Sequence, residues 1–238
     1  MRTDARTPKA ASCSLALVPL LAVPLLAVPF LAGCEIGNGE PAAPRPGSGA
    51  QLDTTEGYPT ENVGTSVGNV IPDFFFEGFV DPSLSHEPAE LRLADFYNPP
   101  GAAIADGSGA FPAGEPLPKV LVVNVSAVWC APCKDEAKNV FPGKWASLHP
   151  KGMGILMVLA DSGEVGSPAS LADLEGWTTA FKATYPSVID PSYQMGALFD
   201  TSQFPANFII DAHTMEIVEF VGGKPPESFW QQIELMLE

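Results

Sequence analysis

The chain is poor in basic residues: 12 Lys and Arg stand against 28 Asp and Glu among 238 residues, a formal net charge of -16. A protein that neutralises phosphates needs a basic surface, so we expect no nucleic-acid partner. Cysteine is also scarce, with four residues, which excludes a small scaffold stapled by several disulfides. The hydrophobic fraction of 46% suffices for one sizeable core and excludes collagen-like, coiled-coil and wholly disordered chains.

Residues 1–33 have the layout of a signal peptide. Three basic residues precede a long uncharged stretch of Leu, Val and Ala, in which three prolines recur every five residues. Such prolines favour a processed leader over a long-lived helix. The stretch ends in L-A-G-C at Cys34, which resembles the lipobox of bacterial lipoproteins and implies cleavage before Cys34 and its lipidation. An uncleaved membrane-spanning anchor is the alternative.

Composition divides the chain into three parts. Residues 1–33 are the predicted lipoprotein signal peptide, residues 34–64 the lipidated cysteine with a flexible Gly/Pro-rich linker, and residues 65–238 a folded domain. The linker has almost no large apolar residues and cannot form a core. We expect a membrane-tethered, extracytoplasmic protein on the periplasmic side of the inner or outer membrane.

Within the folded domain, apolar runs alternate with amphipathic stretches. Apolar segments around residues 70–80 and 91–96 predict an N-terminal β-hairpin. Residues 119–125 and 153–160 are continuous apolar runs, typical of strands covered on both faces. Other predicted elements are helices at 134–140, 145–148, 170–184, 193–198 and 227–237, strands at 188–189, 207–211 and 216–221, and a loop at 99–118. This order predicts an α/β fold with a central mixed β-sheet flanked by helices on both faces.

The two cysteines of the folded domain carry the chemistry. Cys130 and Cys133 enclose Ala131 and Pro132 and follow Trp129, giving W-C-A-P-C between a buried strand and a helix. Unpaired backbone N–H groups and the helix dipole at this point stabilise a thiolate, so Cys130 is the predicted nucleophile. Cys133 lies one turn later and is predicted to resolve a mixed disulfide. Pro132 suits the first turn, where no N–H is needed.

The W-C-x-P-C pattern between strand and helix resembles the active site of the thioredoxin superfamily. A second segment, F-P-A-N-F-I-I-D from Phe204, resembles the cis-proline loop of that superfamily, which implies that Pro205 is cis, faces the cysteines and shapes a peptide-binding groove. Over residues 67–238 the chain is similar to TlpA/ResA-like membrane-anchored thiol-disulfide oxidoreductases. The resemblance implies a thioredoxin-like fold with an N-terminal β-hairpin extension and a helix–strand insert at 170–189.

The same resemblance implies the activity. Such proteins reduce disulfides of exported proteins, accept electrons from a membrane donor and use a redox-active cysteine pair, here Cys130 and Cys133, without another cofactor. Asn124 departs from cytoplasmic thioredoxins, which carry a buried Asp there. Glu136 matches an active-site Glu of the ResA-like proteins and is the candidate substitute, although an acid in the first helical turn also suits the helix dipole.

Two aromatic residues are predicted neighbours of the cysteines. Phe204 stands where the superfamily usually has a smaller residue, so it narrows the groove or offers substrates an aromatic contact. Trp129 either shields the disulfide or serves as a core aromatic.

The residues around the cysteine pair bear on other functions for it. Zinc would need two further ligands, and His86, His149 and His213 lack metal-ligand spacing, so we predict no metal site. A Cu(I) metallochaperone could use the two thiolates and is the alternative function, although no His or Met lies near Cys130 in sequence. Peroxidase chemistry does not require the W-C-x-P-C pattern.

Overall fold

The structure, a computed structural model, describes residues 57–99, 116–200 and 202–238. The predicted signal peptide, Cys34 and most of the predicted linker lie outside these residues, as does most of the predicted loop at 99–118. No helix in the described part of the chain is long and apolar enough to cross a membrane.

Seven strands form one mixed sheet. In chain order they are β1 (Phe75–Phe79), β2 (Ala89–Arg92), β3 (Val120–Ala127), β4 (Met153–Asp161), β5 (Ser187–Ile189), β6 (Ala206–Asp211) and β7 (Glu216–Gly222). Across the sheet they run β2-β1-β5-β4-β3-β6-β7. β3 is parallel to β4 and β4 to β5, whereas the other neighbours are antiparallel. The predicted mixed sheet and N-terminal hairpin are confirmed.

Helices connect these strands. The α-helices in the described ranges are α1 (Ala131–Asn139), α2 (Phe141–Leu148), α3 (Leu171–Phe181) and α4 (Glu227–Met236), and the 3-10 helices are Leu93–Phe96, His149–Lys151 and Gln194–Ala197. α1 begins three residues before its predicted start at 134. The reason is local: the Cys130 side chain accepts the N–H of Cys133 as a cap, and Pro132 fits the first turn.

The predicted helix at 193–198 is only the 3-10 helix Gln194–Ala197. Tyr193 precedes it with a positive φ of 59°, which breaks helical continuity. The buried carboxylate of Asp190 accepts the N–H groups of Gln194 and Met195, both at 2.9 Å, and so holds the segment as a tight turn.

The sheet separates two apolar layers. Alternate residues of β3 face opposite layers: Leu121 and Val123 face one, and Val120 and Val122 face the other. The buried apolar side chains of all four α-helices belong to the second layer. The connections from β3 to β4 and from β4 to β5 step in one direction across the sheet, so right-handed crossovers place their helices on one face.

The other face is covered by shorter helices. Helices flank the sheet, but those on this face are the 3-10 helices Leu93–Phe96 and Gln194–Ala197, together with the segment that precedes β1. Tyr58 belongs to this layer: it is buried, and its hydroxyl donates to the carbonyl of Ile71 at 2.7 Å. The folded part therefore extends further toward the N-terminus than residue 65.

The strand arrangement brings two loops together. The chain leaves the carboxyl end of β3 and enters α1 through Cys130. β6 runs antiparallel to β3 with Ala206 opposite Val125, so the residues just before β6 lie near the same end of the sheet. Pro205 is thereby carried to the start of α1.

Candidate active site

A disulfide joins Cys130 and Cys133 at the start of α1. The two sulfurs are 2.06 Å apart and the Cα atoms 5.3 Å apart. Sγ of Cys130 also accepts the backbone N–H of Cys133 at 3.1 Å. Both cysteines are buried, whereas Ala131 and Pro132 between them are exposed. In the reduced protein the same N–H group and the helix dipole would favour a thiolate on Cys130.

The Phe204–Pro205 peptide bond is cis, as predicted. The carbonyl of Pro205 accepts the N–H of Gly223 at 2.7 Å, which ties the loop before β6 to the loop after β7. Gly223 has a positive φ of 82°, a conformation that glycine adopts without steric cost. These contacts fix the position of the proline relative to β7.

Glu136 lies beneath the disulfide, one helical turn beyond Cys133 on the same face of α1. Its side chain is fully buried. Oε2 accepts Nδ2 of Asn124 at 3.0 Å and, at a longer 3.5 Å, Nδ2 of Asn207. Oε1 has no hydrogen-bond partner among the described residues.

Burial raises the pKa of Glu136 from an ordinary 4.5 to about 8, against the opposing effect of the hydrogen bonds from Asn207 and Asn124. Because α1 begins at Ala131, Glu136 lies beyond the first turn, where an acid would interact with the helix dipole. The position and pKa of Glu136 therefore favour a proton donor or acceptor for the cysteines, which stays a prediction for this residue.

Sequence reasoning missed the polar cluster around this acid. Asn207 lies directly opposite Asn124 in the β3–β6 pairing, and its Nδ2 donates to the carbonyl of Gly223 at 3.2 Å. Ser126 donates from Oγ to Oδ1 of Asn124 at 2.7 Å. The available signal was polarity inside apolar strands: residues 124 and 126 share one face of β3 by alternation, and residue 207 faces the same way from β6.

Two aromatic side chains border the cysteines. Trp129 and Phe204 meet edge to face, with ring centroids 5.5 Å apart, and both are half-buried. The indole N–H of Trp129 donates to Oδ2 of Asp161 at 3.1 Å, and the same oxygen accepts the N–H of Gly166. Asp161 ends β4 and was not predicted as a neighbour of the site. The structure thus brings Trp129 and Phe204 together, and their roles toward substrate remain predictions.

The three histidines of the chain lie in separate surroundings. The rings of His86 and Phe79 meet edge to face, and the ring of His149 stacks on Trp145. Nδ1 of His213 lies 2.6 Å from the carbonyl oxygen of Asn98. In the described ranges no three His, Cys, Asp or Glu side chains are grouped closely enough to hold a metal ion.

The cysteine pair at the helix start, the cis-proline before β6 and the mixed sheet together make up a thioredoxin-like fold. No family model matches the chain. Among curated proteins it is similar to the thiol-disulfide oxidoreductase ResA of Geobacillus thermodenitrificans (strain NG80-2), with 26% identity over 179 residues, 74% of this chain and 80% of the relative.

Solved structures support the same fold. One is a protein from Chlorobium tepidum assigned as the thiol:disulfide interchange protein DsbE, with a TM-score of 0.53 and 20% identity over 73% of this chain and 99% of that one. Another, from Bacteroides thetaiotaomicron, is assigned as a protein disulfide isomerase and has a TM-score of 0.51 and 18% identity over 73% of this chain and 91% of that one. The predicted thioredoxin-like fold is confirmed.

Proposed function

We propose that this protein is an extracytoplasmic, lipid-anchored thiol-disulfide oxidoreductase that reduces disulfides of exported proteins. The observation that carries the proposal is the Cys130–Cys133 disulfide at the start of α1, with the buried acid Glu136 one turn below. The cysteine pair itself stores the two electrons, so the reaction needs no further cofactor.

The reaction begins from the dithiol. The Cys130 thiolate attacks one sulfur of a substrate disulfide, which forms a mixed disulfide and releases one substrate thiolate. Cys133 then loses its proton and attacks Sγ of Cys130, which closes the intramolecular disulfide and releases the second substrate thiolate. The substrate gains two electrons from the cysteine pair, and its two released thiolates take protons from solvent. The Cys130 proton has passed to solvent when the thiolate formed, and the Cys133 proton passes to a base.

Glu136 is placed to take part in the second step. Its pKa of about 8 is close to the pKa of an ordinary cysteine thiol, which suits a carboxylate that accepts a proton from a thiol. Oε1, which has no partner among the described residues, is the oxygen available for that proton. The proton returns when a donor dithiol reduces the pair again.

The two residues between the cysteines favour a role as a reductant over a role as an oxidant. Ala131 and Pro132 carry no charge and no side-chain hydrogen-bond donor toward Cys130. A strong oxidant owes its potential to a stabilised reduced form, and nothing in this dipeptide supplies such stabilisation.

The anchor and the partners follow from the N-terminal sequence. Cys34 after L-A-G is the proposed lipid attachment site, and the linker of residues 34–64 would let the domain reach substrates around its anchor. Exported proteins with disulfides are the proposed substrates, and a membrane electron donor is the proposed source of electrons.

The deciding experiment combines activity and potential. The purified protein should reduce insulin disulfides with dithiothreitol as donor, and Cys130→Ser should abolish the activity. The pair should have a reduction potential near that of thioredoxin, about -270 mV, whereas a value near that of DsbA, about -120 mV, would make the protein an oxidant.

The anchor is tested separately. A lipoprotein should incorporate labelled fatty acid and fractionate with membranes, and Cys34→Ala should abolish the labelling. Unchanged labelling in that variant would exclude Cys34 as the lipid site.

A further inference from the structure

The polar side chains beneath the disulfide are joined by a series of hydrogen bonds. The direction from donor to acceptor in this series is fixed at Gly223. Nδ2 of Asn207 donates to the main-chain carbonyl of Gly223 at 3.2 Å, and a carbonyl oxygen can only accept. The amide nitrogen of Asn207 therefore faces Gly223, and its oxygen faces Asn124. Because that oxygen lies 2.9 Å from the Asn124 amide, Asn124 has to present its nitrogen there.

The orientation of the Asn124 amide determines which of its atoms faces Glu136. Its Nδ2 also contacts Oε2 of Glu136 at 3.0 Å, while its Oδ1 accepts the hydroxyl of Ser126 at 2.7 Å. A reversed Asn124 amide would set oxygen against oxygen at both Asn207 and Glu136. Oε2 therefore meets N–H donors only, from Asn124 and, at 3.5 Å, from Asn207.

This arrangement decides where a proton can reside on the carboxyl. An oxygen surrounded by N–H donors serves as an acceptor whether the acid is ionised or neutral. The remaining oxygen, Oε1, has no hydrogen-bond partner among the described residues. Asn124, Asn207 and Glu136 are all fully buried, so bulk solvent does not compete for these contacts.

We propose that Asn207 is a positioning residue of the thiol–disulfide site: anchored on the Gly223 carbonyl, it orients the Asn124 amide and thereby keeps the exchangeable proton of Glu136 on Oε1. The inference deepens the proposed function and rests on it, since it assigns the oxygen through which the acid serves Cys133. The N–H of Gly223 also binds the carbonyl of Pro205 at 2.7 Å, so one glycine fixes both the cis-proline loop and the amide chain.

The test follows the protonation of Glu136 in the oxidised full-length protein. Carbon-13 NMR of the Glu carboxyl groups, assigned with Glu136→Gln, gives the midpoint of the titration, and infrared spectroscopy gives the C=O stretch of the protonated acid. Asn207→Leu removes a donor from Oε2 and releases the orientation of Asn124. The midpoint should rise by about one pH unit, and the stretch should move to higher frequency because its oxygen loses hydrogen bonds.

Asn139→Leu is the matched control. Asn139, at the end of α1, donates to the exposed carboxylate of Asp135 at 2.7 Å, so this variant also removes an amide–carboxylate bond, but outside the buried chain. Neither signal of Glu136 should change in it. A folded Asn207→Leu protein with wild-type midpoint and frequency would overturn the proposal.

A measurement on the unsubstituted protein covers the case in which Asn207→Leu does not fold. The side-chain N–H resonances of Asn207 should shift with the same midpoint as the Glu136 carboxyl, and resonances that stay constant through that titration would overturn the proposal. These readouts do not depend on turnover. Failure of insulin reduction with an intact linked titration would count against the proposed function and not against the positioning role.

Discussion

Nδ2 of Asn124 lies 3.0 Å from Oε2 of Glu136, so a neutral amide from the central strand meets an acid from the active-site helix. Cytoplasmic thioredoxins carry a buried Asp at the position of Asn124, and Glu136 was the predicted substitute for that acid. The acid is supplied instead by α1, one turn beyond Cys133. An amide does not titrate, so Glu136 is the titratable group of this hydrogen-bonded pair, and the predicted acid–base role falls to it.

Glu136→Gln should therefore change the pH dependence of the reaction. The variant keeps the size of the side chain but cannot accept the Cys133 proton. At and above about pH 8, where the wild-type carboxyl is ionised, the variant should close the intramolecular disulfide on the order of 100-fold more slowly, a typical contribution of a general base, and the titration near pH 8 should vanish from the rate profile. Rapid-quench analysis of the mixed disulfide with an insulin-derived peptide measures this step.

Asp135→Asn is the control for that substitution. Asp135 is the neighbouring acid on α1, partly exposed and paired with Lys224 at 2.7 Å. Asp135→Asn should keep the titration in the rate profile, with its midpoint slightly lowered because the negative charge of Asp135 also raises the pKa of Glu136. Equal profiles for Glu136→Gln and the wild type would contradict the assigned role.

The same carboxyl predicts how stability depends on pH. The pKa of Glu136 is raised from 4.5 in the unfolded chain to about 8 in the folded protein. Between these values the unfolded chain releases a proton that the folded protein keeps, so the free energy of unfolding falls as pH rises. Urea unfolding of the oxidised protein at about pH 5 and about pH 8 should give a larger decrease for the wild type than for Glu136→Gln.

Asp190 makes that comparison necessary. It is also buried, and burial raises its pKa, so it contributes a decrease of the same sign in both proteins. The difference between wild type and variant isolates Glu136. Parallel pH dependences would show that Glu136 is ionised in the folded protein at neutral pH.

Much of the fold could be predicted because its signals are local. The continuous apolar run at 119–125 overlaps β3 from Val120 onward, and the run at 153–160 falls within β4, since strands covered on both faces have no polar side to alternate with. Ser170 was the predicted start of a helix, and it is the N-cap of α3, where it shares a capping box with Asp173. Such patterns need no knowledge of distant residues.

The rest of the site depends on register between distant segments. Asn207 meets Asn124 across 83 positions of sequence, and Asp161 meets Trp129 across 32. The sequence spacing of neither pair predicts a contact, because strand order and register decide which residues meet. Tyr58 was assigned to the linker for the same reason: its buried position depends on Ile71 and Tyr97, which only the fold brings near it.

The two cysteines should be separable by their intermediates. Cys133→Ser leaves the nucleophile but removes the resolving thiol, so a mixed disulfide with the substrate should accumulate. Cys130→Ser should form none, because Cys130 is the N-cap of α1, where a thiolate is stabilised, and Cys133 lies inside the helix. Mass spectrometry of reactions quenched with acid distinguishes the two, and a stable mixed disulfide through Cys133 would reverse the assignment.

Phe204→Thr tests the aromatic border of the site. The ring of Phe204 contacts Trp129 and Phe199, each at 5.5 Å between centroids. Removing it should lower the free energy of unfolding by about 2 kcal/mol, less than the loss from a fully buried Phe. If the ring also contacts substrate, KM should rise more for a cystine peptide with Phe beside its cysteine than for one with Ser.

Phe220→Thr provides the comparison. Phe220 is likewise half-buried, and it stacks on Phe208 at 4.9 Å between centroids. Phe220→Thr should lower the free energy of unfolding without changing the preference between the two peptides. A preference that is unaltered in Phe204→Thr would limit Phe204 to a packing role.

Two glycines should respond in opposite directions to the same added methyl group. Gly78 lies in β1 opposite Val188 of β5, and a Cβ built there would overlap the carbonyl oxygen of Ser187. Because main chain cannot yield as a flexible side chain does, Gly78→Ala should lower the free energy of unfolding by about 2 kcal/mol. Gly176 lies in α3 with open space around its Cα, and Gly176→Ala should raise it by about 1 kcal/mol through helix propensity.

The two glycine variants also test how the N-terminal hairpin is joined to the rest of the sheet. β1 is separated from β3, which leads to the cysteines, by β5 and β4. Gly78→Ala should therefore weaken the protein without changing the reduction potential of the Cys130–Cys133 pair. Urea unfolding and a glutathione titration of both variants measure the two quantities. A Gly78→Ala protein as stable as the wild type would mean that β1 does not approach β5 this closely in solution.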